Sequence, residues 1–246
     1  MPPPSTRPRP ILGRPLERHL HSNLQMVDLP FQDRVQAGRL LGAELSSHQL
    51  ASNTVVLALP RGGVPVGVEV AEALKAPLDV VVVRKLGVPW EPELAMGAIA
   101  GATRVLDRRL IRELGVSDEE LEAVVAKETQ EMERRERLYR GGLRALQLRG
   151  RQVVLVDDGL ATGSTMTAAA RHVRGAHPKR LIVAVPVASS EACSRLRAEA
   201  DECICLAVPE PFFAVGQWYT DFRQVSNAEV QQILSDSRNA PPSPAQ

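Results

Sequence analysis

The run from Val153 to Thr167 constrains the fold more than any other stretch of the chain. Val153, Val154, Leu155 and Val156 are four consecutive apolar residues, three of them β-branched, and predict a strand buried on both faces, as in parallel sheets. Asp157 and Asp158 stand where that strand ends, a turn rich in Gly, Thr and Ser follows, and Ala168 to Val173 opens a helix. A strand-turn-helix unit of this kind aims backbone N–H groups and the positive end of the helix dipole into one concavity, which suits a phosphate. Gly159 and Gly163 let the backbone approach an anion closely, while Thr162, Ser164 and Thr165 add hydroxyl donors at the rim. The two aspartates repel that phosphate and require a polyol, a cation or both. A sugar phosphate satisfies the whole set. The plain alternative is an acidic turn capping an ordinary helix. A Walker A loop is excluded, because no Gly-Lys-Ser or Gly-Lys-Thr occurs.

Two acids followed by Ala161-Thr162-Gly163-Ser164-Thr165, after a hydrophobic strand, resemble the ribose-phosphate signature of the type I phosphoribosyltransferases. The resemblance extends over about residues 31–235. It implies phosphoribosyl pyrophosphate (PRPP) with magnesium as ligand, a heterocyclic nitrogen acceptor as second substrate, and pyrophosphate as product. On that basis Ala161, Thr162, Gly163, Ser164 and Thr165 hold the 5′-phosphate. Asp157 and Asp158 serve the ribose hydroxyls and the metal.

The remaining elements fall around this unit. Thr54 to Leu59 reads as a strand that runs into Pro60-Arg61-Gly62-Gly63 and then a helix from Val68 to Leu74. A double glycine there again presents bare N–H groups to an anion and resembles the family's pyrophosphate loop, with Arg61 either a ligand or a solvated loop residue. The Gly-x-Gly-x-x-Gly of a dinucleotide fold is missing. Leu78 to Val83 reads as a second strand ending at Arg84 and Lys85. That pair before a Gly/Pro loop resembles the mobile catalytic loop of adenine and orotate phosphoribosyltransferases, with Lys85 catalytic and Arg84 on the pyrophosphate; two solvated charges are the alternative. Arg180 to Val187 and Glu202 to Leu206 complete the strands, and the stripe Phe31, Val35, Leu40, Leu41 and Leu45 predicts a helix against the sheet.

Five of the eight aromatic residues lie between Phe212 and Phe222, which suits stacking on a flat heterocycle or a small secondary core. Phe213-Ala214-Val215-Gly216 with Asp221-Phe222 resembles the base-binding tail of hypoxanthine-guanine phosphoribosyltransferases, so Phe213, Val215 and Asp221 are the expected base contacts. That family's base-contacting lysine has no counterpart near Val187 or Ala188, and Ala161 stands where some purine enzymes carry an acid. Any general base comes from elsewhere.

The expected fold is three-layer α/β with a mainly parallel sheet. It carries a helical subdomain inserted at about 87–150 and a C-terminal hood at about 207–226. Ser117 and Glu120 predict a capping box for a long helix to about Tyr139, whose end is crowded by Arg134, Arg135, Arg137 and Arg140. Residues 1–25, rich in Pro and Arg, and 236–246 read as disordered tails around a domain at 26–235. A net charge of +1 gives no field for steering to nucleic acid, and no apolar run is long enough to span a membrane. Cys193, Cys203 and Cys205 lack Cys-x-x-Cys spacing and a His cluster, which favours buried thiols over a metal site and a reducing, cytoplasmic setting. A homodimer is left open. Two other function classes remain: a PRPP-sensing regulatory protein with this fold and little catalysis, and a sugar-phosphate hydrolase using the aspartates as nucleophile or metal ligands.

Overall fold

The computed structural model describes residues 27–239. In chain order the elements are α1 (Arg34–Ser47), β1 (Thr54–Ala58), α2 (Gly63–Leu74), β2 (Leu78–Val80), β3 (Val83–Val88), β4 (Glu91–Ala100), β5 (Thr103–Leu106), α3 (Arg108–Leu114), α4 (Asp118–Arg140), β6 (Gln152–Val156), α5 (Ser164–Gly175), β7 (Arg180–Val187), α6 (Ser190–Leu196), β8 (Glu202–Ala207) and α7 (Asn227–Asn239). The central sheet has the order β2-β1-β6-β7-β8, and every pair in it is parallel. Its strands are near-continuous runs of Val, Ile, Leu and Ala because both faces are covered.

Alternation along each strand sorts the side chains into two cores. Val56, Ala58, Val154, Val156, Ile182 and Ala184 face the layer of α1, α2, α4 and α7. Val55, Leu57, Val153, Leu155, Leu181 and Val183 face α5 and α6. Helix α1 packs on β7 of the sheet and, more extensively, on α2: a methyl on Gly42 would lie 2.8 Å from Ala73 Cβ, and one on Gly38 2.9 Å from Glu69 Cβ, so the two helices cross closely at those glycines. Leu40 turns outward from the predicted stripe.

The insertion between β2 and β6 contains the expected helices. Asp107 caps α3, and Ser117 with Glu120 forms the capping box of α4. It also contains an antiparallel sheet, β3-β4-β5, that the sequence pattern does not announce. Leu78 to Val83 is therefore not one strand. The parallel strand stops at Val80, and Val83 begins the hairpin that carries Arg84 and Lys85. The second sheet packs on α5, where His172 lies against the β4-β5 turn at Gly101.

At the C-terminus the expected tail begins too early. Residues 236–239 belong to α7, before which Ser226 Oγ accepts from Glu229 N at 3.1 Å while Glu229 Oε2 accepts from Ser226 N at 2.7 Å. That Ser-x-x-Glu box is a readable start signal. The tail readings for 1–25 and 240–246 lie outside the described residues. No helix among the described residues is long and apolar enough to cross a membrane.

Candidate active site

From β1 the chain moves outward to β2, and after the insertion it returns on the other side of β1 as β6, then proceeds to β7 and β8. The direction of progress thus reverses between β1 and β6. At such a switch point the helices that follow the two strands lie on opposite faces, leaving a crevice at the carboxyl ends. Here α2 covers one face and α5 the other. The two glycine turns, Leu59 to Gly63 and Asp157 to Gly163, leave the sheet side by side at that crevice, with Leu59 N donating to Val156 O at 2.9 Å.

The turns are in direct contact. A methyl on Gly63 would stand 2.9 Å from both Asp157 Cα and Val156 O, and one on Gly62 2.7 Å from Asp158 Cγ. Only glycine at both positions lets the first turn lie against the two acids. The Pro60–Arg61 peptide is cis, Arg61 is partly exposed, and α2 begins at Gly63 directly behind it.

Asp158 N donates to Asp157 Oδ1 at 2.9 Å, which fixes the first carboxylate beside the second. Loss of solvent pushes both carboxyls above the ordinary carboxylate range, and the neighbouring Asp158 charge pushes Asp157 further. Arg34 pulls Asp158 partway back. Its Nε donates to Asp158 Oδ2 at 2.8 Å, its guanidinium carbon sits 3.9 Å from the Phe222 ring centroid, and its NH1 donates to Arg223 O at 2.9 Å. Tyr219 completes the cage, its hydroxyl donating to Asp158 O at 2.6 Å.

Gly163 takes φ 73° as it caps α5, a conformation that strains any residue with a Cβ. Ala161, Thr162, Ser164 and Thr165 are exposed around it, so the hydroxyl rim faces solvent. The turn is braced from behind: Leu160 N donates to Val187 O at 3.0 Å, and Ser189 Oγ donates to Ala161 O at 2.6 Å. Arg195 NH1 reaches Ser164 Oγ at 3.4 Å while its NH2 donates to Glu191 Oε1 at 2.9 Å, which brings a paired cation to the hydroxyl rim.

Arg84 and Lys85 lie on β3, inside an antiparallel hairpin rather than in a loop after a parallel strand. Arg84 Nε donates to Glu128 Oε2 of α4 at 2.8 Å, and Lys85 Nζ donates to Glu93 O at 3.0 Å and pairs with Glu93 Oε2 at 3.2 Å. Both cations are thus held by partners within the insertion. In the hood, Phe212, Trp218, Tyr219 and Phe222 each pack against another ring, and among the described residues Phe213 does not. Phe212 packs with Trp218, and Tyr219 with Phe31 and Phe222. Phe213 is 81% exposed. Val215 leans on the acidic turn, since a methyl on Gly159 would meet Val215 Cγ1 at 2.6 Å. Asp221 is exposed and accepts from Arg223 N at 3.0 Å.

Arg34, Tyr219, Ser189 and Arg195 are the site residues that sequence reasoning missed. Arg34 and Asp158 are 124 positions apart, and no local pattern links them. Arg195 sits in the last turn of α6, well past the end of β7 at Val187, and no local pattern links it to Ser164.

Comparison with known proteins places the chain in a family. The sequence pattern of the phosphoribosyl transferase domain matches residues 32–220. Two Mycobacterium tuberculosis strains, CDC 1551 and H37Rv, each have a relative named "Putative phosphoribosyl transferase", 47% identical over 206 residues. That match covers 83% of this chain and 46% of theirs, so the chain spans about half the length of these relatives. The crystal structure of TT1426 from Thermus thermophilus superposes with a TM-score of 0.72 at 44% identity, covering 85% of this chain and 99% of that one. With the acid pair, the two glycine turns and the parallel sheet that joins them, the chain belongs to the type I phosphoribosyltransferase family.

Proposed function

We propose that the chain transfers the phosphoribosyl group of PRPP to a ring nitrogen of a nucleobase-like heterocycle and releases pyrophosphate. The observation that carries this reading is the meeting of two glycine turns at one switch point with a paired carboxylate between them. A ligand with a phosphate at each end and a polyol in the middle fits that order of groups.

In this reading the 5′-phosphate takes the N–H groups at the start of α5 and the hydroxyls of Thr162, Ser164 and Thr165, with Arg195 at its edge. Arg61 and the Gly62-Gly63 backbone receive the pyrophosphate, and Asp157 and Asp158 accept from the ribose hydroxyls. As the bond from the sugar carbon to pyrophosphate opens, positive charge grows on the ring beside these carboxylates, and the cations of Arg61, Arg84 and Lys85 meet the departing anion. The β3-β4 hairpin closes over the site once Lys85 exchanges Glu93 for phosphate, which excludes water. Exposed Phe213 offers a stacking face to the acceptor, while Val215 and Asp221 border it.

Asp157 and Asp158 also fit magnesium. They are adjacent oxygen donors whose mutual repulsion and burial are relieved by a hard cation. When bound, magnesium supplies neutralisation of the pyrophosphate charge.

Calorimetric titration with magnesium-PRPP tests the site. Asp158→Ala and Gly163→Val are each expected to weaken binding by about tenfold or more, equal to about 1.4 kcal/mol. Unchanged affinity in both variants would remove the assignment.

A further inference from the structure

The three cysteines come from two elements that the fold presses together. Along β8, Ile204 and Leu206 face the core under α1 and α2, so Cys203 and Cys205 face the opposite layer, beneath α6. Cys193 projects from α6 into that layer. Its Sγ lies 3.1 Å from Cys205 Sγ, Cys205 Sγ lies 3.9 Å from Cys203 Sγ, and all three sulfurs fall within 4.8 Å of one another. None is in a disulfide.

This is a sulfur-only donor set. No imidazole or carboxylate among the described residues joins it within that distance. Thiolates select soft cations such as zinc or copper(I) over magnesium or calcium. Around an ion with metal–sulfur bonds of about 2.3 Å, neighbouring sulfurs stand about 3.8 Å apart. The observed separations straddle that value, so small side-chain rotations complete the site. Cys203 and Cys205 keep partial exposure at the edge strand of the sheet, which gives an ion a way in.

We propose that Cys193, Cys203 and Cys205 form a trithiolate site for a thiophilic d10 cation, zinc(II) or copper(I). Binding breaks three S–H bonds, forms three metal–sulfur bonds and passes the three protons to the buffer. No oxidation state changes. Copper(I) is satisfied by three sulfurs, whereas zinc takes a water as fourth ligand. The ion clamps α6 to β8. Helix α6 in turn supports the phosphate turn, with Ala192 Cβ 3.3 Å from the position a methyl on Gly163 would take and Ser189, its cap, bonded to Ala161 O. The clamp is separate from the transfer reaction and stands without it.

Cadmium(II) is the probe, titrated into the full-length, reduced chain without oxygen. A sulfur-to-cadmium charge-transfer absorption should rise and saturate at one ion per chain, and the bound ion should protect the thiols from alkylation. Cys203→Ser, at a partly exposed position, should weaken cadmium binding by about tenfold or more while the circular dichroism is retained. Absence of the absorption band overturns the proposal, as does alkylation at the same rate with and without cadmium in the unsubstituted protein. A Cys193–Cys205 disulfide that forms under mild oxidation and that bound cadmium fails to block would also overturn it, making the cluster a redox pair.

Discussion

Arg34 Nε and Asp158 Oδ2 meet at 2.8 Å with both side chains largely buried, joining the first helix to the second acid of the site. The same guanidinium stacks on Phe222 and bonds Arg223 O, so one side chain ties α1, the acidic turn and the hood together. Arg34→Met leaves the Asp158 charge without its partner in a site already short of solvent. A loss of about 3 kcal/mol in unfolding free energy is expected by urea denaturation. Arg34→Lys should recover only part of it, since an ammonium cannot make the planar stack and both hydrogen bonds.

Gly62 is the tightest point between the two turns. In Gly62→Ala the new methyl would press into the Asp158 carboxylate and force it off Arg34. Magnesium-PRPP affinity should fall by about tenfold or more, measured by calorimetry. Wild-type affinity would mean that Asp158 does not have to stay where it is.

Lys85 bonds Glu93 within its own hairpin. If it turns to the leaving pyrophosphate as the hairpin closes, Lys85→Ala lowers kcat by about 100-fold with a much smaller change in KM for PRPP. Steady-state kinetics decide this. A change confined to KM would reduce Lys85 to a ground-state contact.

The acidic turn, its helix and the strand before it are legible because each is a local pattern: β-branched residues, then acids, then glycine and hydroxyls in close succession. All five parallel strands are legible for the same reason, though apolarity alone does not mark where a strand changes sheet, so Val81 to Val83 read as part of β2. The β4 strand is not legible. Glu91 to Ala95 are exposed and Met96 to Ala100 mostly buried, so its outer half carries no alternation. Pairings between distant segments leave no trace in a single sequence either. Arg34 with Asp158 is one, and Cys193 with Cys205 another: the two cysteines are 12 positions apart, but a helix and a strand have to be placed before they can touch.

His172 of α5 is half-buried against the turn at Gly101, and burial holds its imidazole below the ordinary value of 6.5. In acid the unfolded chain takes up a proton there before the folded chain does. The contribution of neutral His172 to stability is therefore complete above pH 6.5 and is lost as pH falls through the range between the two pKa values. Thermal melts should show His172→Gln losing less stability than wild type between neutral pH and about pH 5. Parallel curves would contradict this.

Group transfer from PRPP is read directly by phosphorus NMR. Purified chain is incubated with magnesium-PRPP, with and without a mixture of nucleobases, and the pyrophosphate resonance is followed. Pyrophosphate should grow only when bases are present, and dividing the mixture then identifies the acceptor. PRPP that stays intact with every base while its resonances broaden on the protein would rule out transfer and leave a chain that binds PRPP without turning it over.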